Sequence, residues 1–315
     1  KDNALNILDR YRARVPSFND DIQGTGAVAL AGVYSACRVR GDTLADQRIV
    51  IHGAGAAGLG ICRQIKAGLR LAGLSEADIC SRVAVLDSRG MLVDDREIAD
   101  AYKQEMAWTA EQAEAAGLPD ASDRGLHAVV AAFRPTVLIG ASGQAGAFDE
   151  ALVREMAKHT DRPVILPFSN PTAIAEAQPA DVLNWTDGRA LIATGSPFDP
   201  VEYAGRTIEI GQGNNVFIFP GIGLGALLAE VDQISDEVIS ASAQALAATV
   251  SDAELERGLL FPSIDRLREV AAAVAEAVMR EAASEGIGNG NLDNLVERIE
   301  AAMWVPRYTE YVAAD

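Results

Sequence analysis

Apolar positions recur along this chain at two different periods, and the change of period marks its elements. Leu5, Leu8 and Tyr11 fall on one face with Ile7 adjoining, so residues 2–13 read as an amphipathic helix that Pro16 ends. Thr25 to Arg40 is rich in Ala and Val and predicts a second helix, closed by Gly41. From Ile49 the pattern becomes short apolar runs separated by helical stretches. Ile49 to Ile51 is such a run, followed by Leu59, Ile61, Cys62, Ile65 and Leu69 at helical spacing, and then by Val83 to Leu86. Residues 135–140, 163–168 and 190–194 predict further strands, with a helix over 148–158. Residues 93–125 are polar with helical patches and show no evident chemistry. Beyond Gly221 the chain reads as helical over 221–231, 235–249 and 263–283, with Ser251 to Glu254 forming a capping box. Asn289 to Asn291 reads as a turn, and Trp304 to Tyr311 as an aromatic tail that straps onto the domain or a partner subunit.

Strands alternating with helices imply an α/β fold. It is expected to be Rossmann-type and doubly wound, with a mainly parallel sheet and flanking terminal helices. The chain divides into 1–24, an N-terminal helix and loop; 25–283, the α/β domain; and 284–315, a C-terminal helical tail. The run into Gly53-Ala54-Gly55-Ala56-Ala57-Gly58 carries the most chemistry. A strand, a glycine turn, a helix, a strand and then Asp87 make a dinucleotide site. Gly53 allows the tight turn, Gly55 lets backbone approach a pyrophosphate, and Gly58 permits close packing of helix on strand. Asp87 can accept hydrogen bonds from a ribose diol. It lies 34 positions after Gly53, beyond the usual spacing of about 20, and Gly73 to Cys80 can absorb the excess as a longer connection. The competing reading is a glycine-rich turn that binds nothing.

Composition narrows the partners. Of the 315 residues, 49% are hydrophobic, enough for a sizeable core. The net charge is −18 and there is no basic run, which argues against nucleic acid or an anionic membrane as partner. Cys37, Cys62 and Cys80 read as buried free thiols in a reducing, cytoplasmic compartment. No apolar run is long enough to span a membrane and no signal-peptide pattern is present. The chain opens at Lys1, without Met and inside a helical pattern, so a fragment of a longer polypeptide is expected.

Several polar groups stand where strands or helices begin or end. Asp20 and Asp21 precede the second helix. They read either as residues capping it and favoured by its dipole, or as oxygen ligands of a hard divalent cation. Ala141 to Gly146 is a glycine-rich loop at a strand end, where open α/β sheets bind ligands. Asn170 follows a strand and is held by Pro171; Asn214 and Asn215 follow Gly211 to Gly213. Each is a ligand contact or, on the plainer reading, a structural turn, of hairpin type for the Asn pair.

Phe18-Asn19-Asp20-Asp21-Ile22-Gln23-Gly24-Thr25, Gly53-Ala54-Gly55, Ser169-Asn170-Pro171-Thr172, Gly195-Ser196-Pro197-Phe198 and Gly211-Gln212-Gly213-Asn214-Asn215 through Gly221, taken together and in this order, resemble malic enzyme in its longer form, specifically the NAD-binding half. The resemblance covers nearly the whole chain. It implies oxidative decarboxylation of (S)-malate to pyruvate and carbon dioxide, with a nicotinamide cofactor taking the hydride and Mn²⁺ or Mg²⁺ polarising the intermediate carbonyl. It makes Asp21 a metal ligand, Asp20 the carboxylate that orients the base lysine, and Asn170 and Asn215 substrate-binding amides. Thr25, Gly53, Gly55, Gly58, Asp87, Ala141, Ser142 and Asn214 would line the cofactor. The resemblance also implies a homo-oligomer, dimer or tetramer.

The departures matter as much. The family's tyrosine acid, lysine base and substrate-binding arginine belong to an N-terminal domain not contained here. Lys1, Lys66, Lys103 and Lys158 fall in none of the matching motifs. The family's Glu-Asp metal-ligand pair would lie upstream of Lys1, so residues 1–24 would join an absent domain and hold the cation poorly. This chain alone is therefore expected to bind dinucleotide without turning over malate. Asp87 would repel a 2′-phosphate and favours NAD over NADP, although Ser88 and Arg89 could contact a phosphate. Gln104 falls where NADP-using relatives tend to carry lysine, which again favours NAD, with Lys103 adjacent. The rival readings are malolactic enzyme, which releases lactate, and a dinucleotide-binding module without chemistry.

Overall fold

Five strands buried along their whole length form the middle of the molecule, and this burial on both faces is why they read as continuous apolar runs rather than as alternation. The computed structural model describes residues 2–309 and 311. Helix α1 (Asp2–Tyr11) leads to a π-type turn (Asp20–Gly24), which runs directly into α2 (Thr25–Arg40). Strand β1 (Ile49–His52), α3 (Ala56–Leu71), the short α4 (Glu76–Cys80), β2 (Val83–Asp87) and β3 (Gly90–Met91) follow. Helices α5 (Ala101–Gln104), α6 (Ala110–Ala115) and α7 (Leu126–Phe133) lead to β4 (Val137–Gly140). Next come α8 (Glu150–His159), β5 (Val164–Pro167), α9 (Pro179–Trp185) and β6 (Leu191–Thr194). The strands β7 (Val201–Tyr203) and β8 (Arg206–Ile208) make a separate hairpin before β9 (Gly211–Gln212). The chain finishes with α10 (Phe219–Ala229), α11 (Asp236–Thr249), α12 (Asp252–Glu256), α13 (Leu267–Glu285) and α14 (Leu295–Ala302).

Among the described residues the main sheet has seven strands in the order β3-β2-β1-β4-β5-β6-β9, all parallel except β3. The expected doubly wound sheet is what forms. Strand order reverses between β1 and β4, where His52 pairs with Gly140, and that reversal opens a crevice at the carboxyl edge of the sheet. Alternate strand residues feed two cores. Ile51, Ile139 and Leu166 pack with α2, α3, α10, α11 and α13; Val50, Leu138 and Ile165 pack with α7, α8 and α9. Leu5 and Leu8 of α1 and Leu295 and Ile299 of α14 join the first core, so both terminal helices are anchored to the sheet layer.

Helices α2 and α3 cross at glycines. A Cβ on Gly26 would lie 2.7 Å from the Gly60 carbonyl, and one on Gly60 would collide with the Ile22 carbonyl. This close approach brings the Asp20–Gly24 turn beside the start of α3.

Four details differ from the sequence-based expectation. The last long helix begins at Leu267, because Ser263 caps a 3₁₀ turn over Ile264–Arg266 and leaves Ile264 half exposed. Asn214 and Asn215 do not make a hairpin turn: Asn214 caps a 3₁₀ turn that feeds α10. Cys37 and Cys62 are buried free thiols, whereas Cys80, at the end of the short α4, is only partly covered. The aromatic tail does not strap onto its own domain, since Trp304 and Tyr308 are 78% and 101% exposed; a hydrogen bond donated by the Arg268 side chain (Nη1) to the Trp304 carbonyl links it to α13. Residues 310 and 312–315 of that end lie outside the described residues.

Candidate functional site

At the crevice the glycine turn is determined by backbone contact. Gly53 has φ +121°, and a side chain there would collide with the Ala141 carbonyl. A Cβ on Gly58 would run into the Gly53 carbonyl. Gly55 differs: nothing lies within 4 Å of the place its Cβ would take, and it starts α3 with no side-chain cap. An uncapped helix N-terminus facing open space next to a tight turn is the arrangement a pyrophosphate fits. The Ala141–Ser142 peptide stands directly against this turn, as the reversal of strand order requires.

Across the crevice sits a cluster assembled from segments far apart in the sequence. Asn19, not the Asp pair, caps the π-type turn: its Oδ1 accepts from Ile22 N at 3.1 Å. Neither Asp side chain is the cap, but both stand in the first turn, where the helix dipole favours them. Asn215 Nδ2 lies 3.0 Å from Asp20 O, 3.2 Å from Asp20 Oδ2 and 3.1 Å from Thr25 Oγ1, toward all of which it can donate. Thr25 Oγ1 itself donates to Asp20 O at 3.3 Å. Asp20 Oδ1 is buried without a hydrogen-bond partner. Burial pushes the Asp20 carboxyl above the usual range; the Asn215 amide opposes this and the neighbouring Asp21 charge reinforces it. Asp21 is exposed.

Asn170 reaches the same crevice from the end of β5. Its peptide bond to Pro171 is cis. Ser196 Oγ donates to Asn170 Oδ1 at 2.8 Å, which commits that oxygen and leaves the amide N–H groups for the cleft. Ser196 is a partner that strand-end spacing did not single out. A second is Glu176, whose carboxylate accepts from Ser142 and Ser169. The Ser142 hydroxyl is thus turned into the wall of the cleft.

The resulting cleft has a volume of about 600 Å³, and Asp20, Asp21, Thr25, Ala141, Asn170 and Asn215 all line it, with Asn214 beside them. Ala56 and Ala57 bring the start of α3 to its edge. Among the described residues, no lysine or tyrosine lines it. Lys158 pairs with Glu155 and Lys103 with Asp87, Lys66 lies in a separate charged pocket with Arg12 and Arg70, and Lys1 is outside the described residues. Nor do the described residues contain a group of three or more His, Cys, Asp or Glu able to hold a metal ion. Two adjacent carboxylates fall short of the oxygen set a divalent cation needs, so the chain's own residues do not complete such a site.

Asp87 and Ser88 lie outside this cleft, at the carboxyl end of β2 beside β1. Asp87 Oδ1 accepts from Arg89 N at 2.9 Å and Arg96 Nη2 at 2.8 Å, and Oδ2 from Lys103 Nζ at 2.7 Å. Burial would raise this carboxyl, but Lys103, the Arg89 amide and Arg96 bring it down to about 2. Arg96 Nε and Nη1 are buried without partners. Gln104 and the adjacent Lys103, the two candidates for the position where NADP-using relatives carry lysine, point differently. Gln104 Nε2 donates to the Ile98 carbonyl, and Lys103 is the residue that faces Asp87. One residue along a helical turn rotates the side chain by about 100°. Ser88 is exposed.

Comparison with known proteins agrees with this geometry. The family described as "Malic enzyme, NAD binding domain" matches residues 22–283. An NAD-dependent malic enzyme of Pseudomonas aeruginosa (strain UCBPP-PA14) is 41% identical over 310 residues, covering 98% of this chain and 55% of that protein. A malolactic enzyme of Lactiplantibacillus plantarum is 40% identical over 309 residues, with the same coverage. The crystal structure of Entamoeba histolytica malic enzyme superposes with a TM-score of 0.74 over 95% of this chain and 56% of that one, at 24% identity. The chain spans about half the length of the curated relatives it matches.

Proposed function

Since the chain belongs to the malic enzyme family by its NAD-binding domain, we propose that it is the dinucleotide-binding part of an enzyme that oxidatively decarboxylates (S)-malate to pyruvate and carbon dioxide. The observation that carries this reading is the meeting of the glycine turn with Asp20, Asn170 and Asn215 around one cleft at the strand-order reversal. The relatives' names support NAD as the cofactor. NAD supplies a nicotinamide ring that accepts the hydride when bound.

The chain's own residues have separable tasks. Gly53 and Gly58 shape the turn, and Gly55 with the start of α3 offers backbone N–H groups to the pyrophosphate. Ala141 and Ser142 form the opposite wall; Thr25 and Asn214 bound the cleft beside them. Asn170 presents an amide donor whose orientation Ser196 sets, suited to a malate oxygen. Asn215 bridges Asp20 and Thr25 and borders the same space. Asp20, partly buried and beside a second negative charge, favours a cation close by. That suits an electrostatic role toward a protonated base, which the described residues do not supply. Asp21 is proposed as one ligand of Mn²⁺ or Mg²⁺. Asp87 binds the adenosine ribose, with Ser88 at its margin.

The division into 1–24, 25–283 and 284–315 is retained as a proposal. So is a cytoplasmic homo-oligomer, favoured by three free cysteines and an exposed aromatic tail. Among the described residues no helix is long and apolar enough to cross a membrane. Malolactic chemistry is the second reading, favoured by the relative of that name. It differs in product, lactate in place of pyruvate.

The test is calorimetric titration of the purified chain with NAD and NADP, with and without Mn²⁺, followed by a malate assay. Saturable NAD binding, little metal dependence and no turnover are expected. No binding of either dinucleotide would overturn the cofactor assignment, and turnover would overturn the claim that the base lies outside these residues.

A further inference from the structure

We propose that Glu176 is a positioning residue that locks two loops into one wall of the cleft; this rests on the reading of that cleft as the dinucleotide site. Glu176 is fully buried; among the described residues no Lys or Arg pairs with it, and the nearby imidazole of His52 makes no hydrogen bond to it. A carboxylate in such a place must be satisfied by hydrogen-bond donors. Here all of the donors come from the ends of two neighbouring strands. Oε1 accepts from Ser142 N at 2.8 Å, Ser142 Oγ at 2.8 Å and Ser169 Oγ at 2.6 Å, and Oε2 accepts from Ser169 N at 3.4 Å. Ser142 follows β4 and Ser169 follows β5, so one side chain ties the two loops together. Gly143 N donates to Ser169 Oγ at 2.9 Å and closes the link directly.

The surroundings are shaped to admit this carboxylate. A Cβ on Gly140, the last residue of β4, would collide with Glu176 Cδ and Oε2. The backbone of the same segment is also fastened, with Phe148 N donating to Glu176 O at 2.9 Å. The loops held this way carry the groups the reaction needs. Ala141 and Ser142 face the glycine turn, and Ser169 is followed by Asn170. Glu176 itself does not line the cleft. It acts through the residues that do, so loosening it should cost ligand binding.

The experiment is NADH titration by fluorescence and thermal melting of the purified chain, comparing wild type with Glu176→Gln, Glu176→Ala and Ser169→Ala. Gln retains an oxygen for the three short bonds and sacrifices the long one, so its Kd should stay within about threefold of wild type. Ala removes every side-chain bond, and its Kd should rise at least tenfold in the folded protein. Ser169→Ala should weaken binding severalfold and lower the melting temperature by less than Glu176→Ala does. Equal NADH affinity of wild type and Glu176→Ala, whatever the melting temperature, would overturn the proposal. If Glu176→Ala shows no cooperative melt, Ser169→Ala decides: unchanged affinity overturns the proposal and weakened affinity supports it. Absence of NADH binding by wild type would instead count against the dinucleotide reading on which this inference stands.

Discussion

Asp20 and Asp87 are both largely removed from solvent on the ligand-binding side of the sheet, yet their surroundings treat them oppositely. Asp87 has a guanidinium, an ammonium and a backbone amide on its two oxygens and is held near pKa 2. Asp20 has one neutral amide, an unfilled Oδ1 and a like charge next in sequence, and its pKa is raised. Asp87 is therefore internally neutralised and contributes to stability. Asp20 carries an uncompensated charge at the place where the proposed chemistry needs a cation. The difference separates a carboxylate whose charge is already paired, and which can meet a ribose only as a hydrogen-bond acceptor, from one that awaits a cation.

The largest expected effect is on stability. Asp87→Ala strands Arg96 and Lys103 and should cost about 2 kcal/mol, reduced from a fully buried pair because both cations are partly exposed. Asp20→Asn should change stability by less than about 0.5 kcal/mol, because it removes a poorly compensated charge. Chemical denaturation of the two variants measures this, and equal losses would break the comparison.

Acid titration of the same proteins tests it from the other side. Asp87 has a depressed pKa, so its contribution is present above the unfolded value near 3.8 and is lost as pH falls through about 2. The amount is on the order of 2 kcal/mol. Asp20 has a raised pKa, so its contribution is full below 3.8 and is lost as pH rises through the raised value. Asp87→Asn should flatten the acid limb of the stability curve, while Asp20→Asn should steepen it. An acid limb unchanged in Asp87→Asn would remove the ion-pair account.

Cofactor choice sharpens the comparison further. Lys103→Ala should weaken NADPH binding about tenfold, the loss of one charge-assisted contact of about 1.4 kcal/mol, while NADH affinity stays within about threefold. Gln104→Ala should leave the NADPH to NADH ratio unchanged; movement of that ratio in Gln104→Ala alone would return the role to Gln104. The smallest effect is expected from metal. Millimolar Mn²⁺ should shift the melting temperature of this chain by less than about 1 °C, because Asp20 and Asp21 do not form a complete ligand set. A shift of several degrees that Asp21→Asn abolishes would show a fuller site.

The glycine turn was legible from the sequence because backbone crowding leaves a written trace: Gly53 needs a positive φ, and Gly58 has no room for a Cβ. The strands were legible because burial on both faces writes continuous apolar runs. The Asp20–Asn215 cluster was not legible from spacing, since 195 positions separate the pair; only the combination of motifs that resembles malic enzyme grouped them. Ser196 stood out only inside the Gly195–Phe198 motif of the resemblance, and Glu176 left no local pattern, because a carboxylate that accepts across strand ends looks the same in sequence as one facing water. The aromatic tail left two receiving surfaces open in the sequence for a related reason. Apolar composition marks a capacity to bury surface, and it does not name the surface that receives it.

From its sequence alone this protein was committed to a parallel, doubly wound sheet with a dinucleotide turn after its first strand, since periodicity and backbone conformation are properties of neighbouring residues. Tertiary structure decided which of two adjacent residues, Lys103 or Gln104, meets Asp87, and which of the two compared aspartates is neutralised. Those outcomes depend on the distances between charges that chain-distant packing brings together, and Coulomb and desolvation energies follow those distances and not the order of residues along the chain.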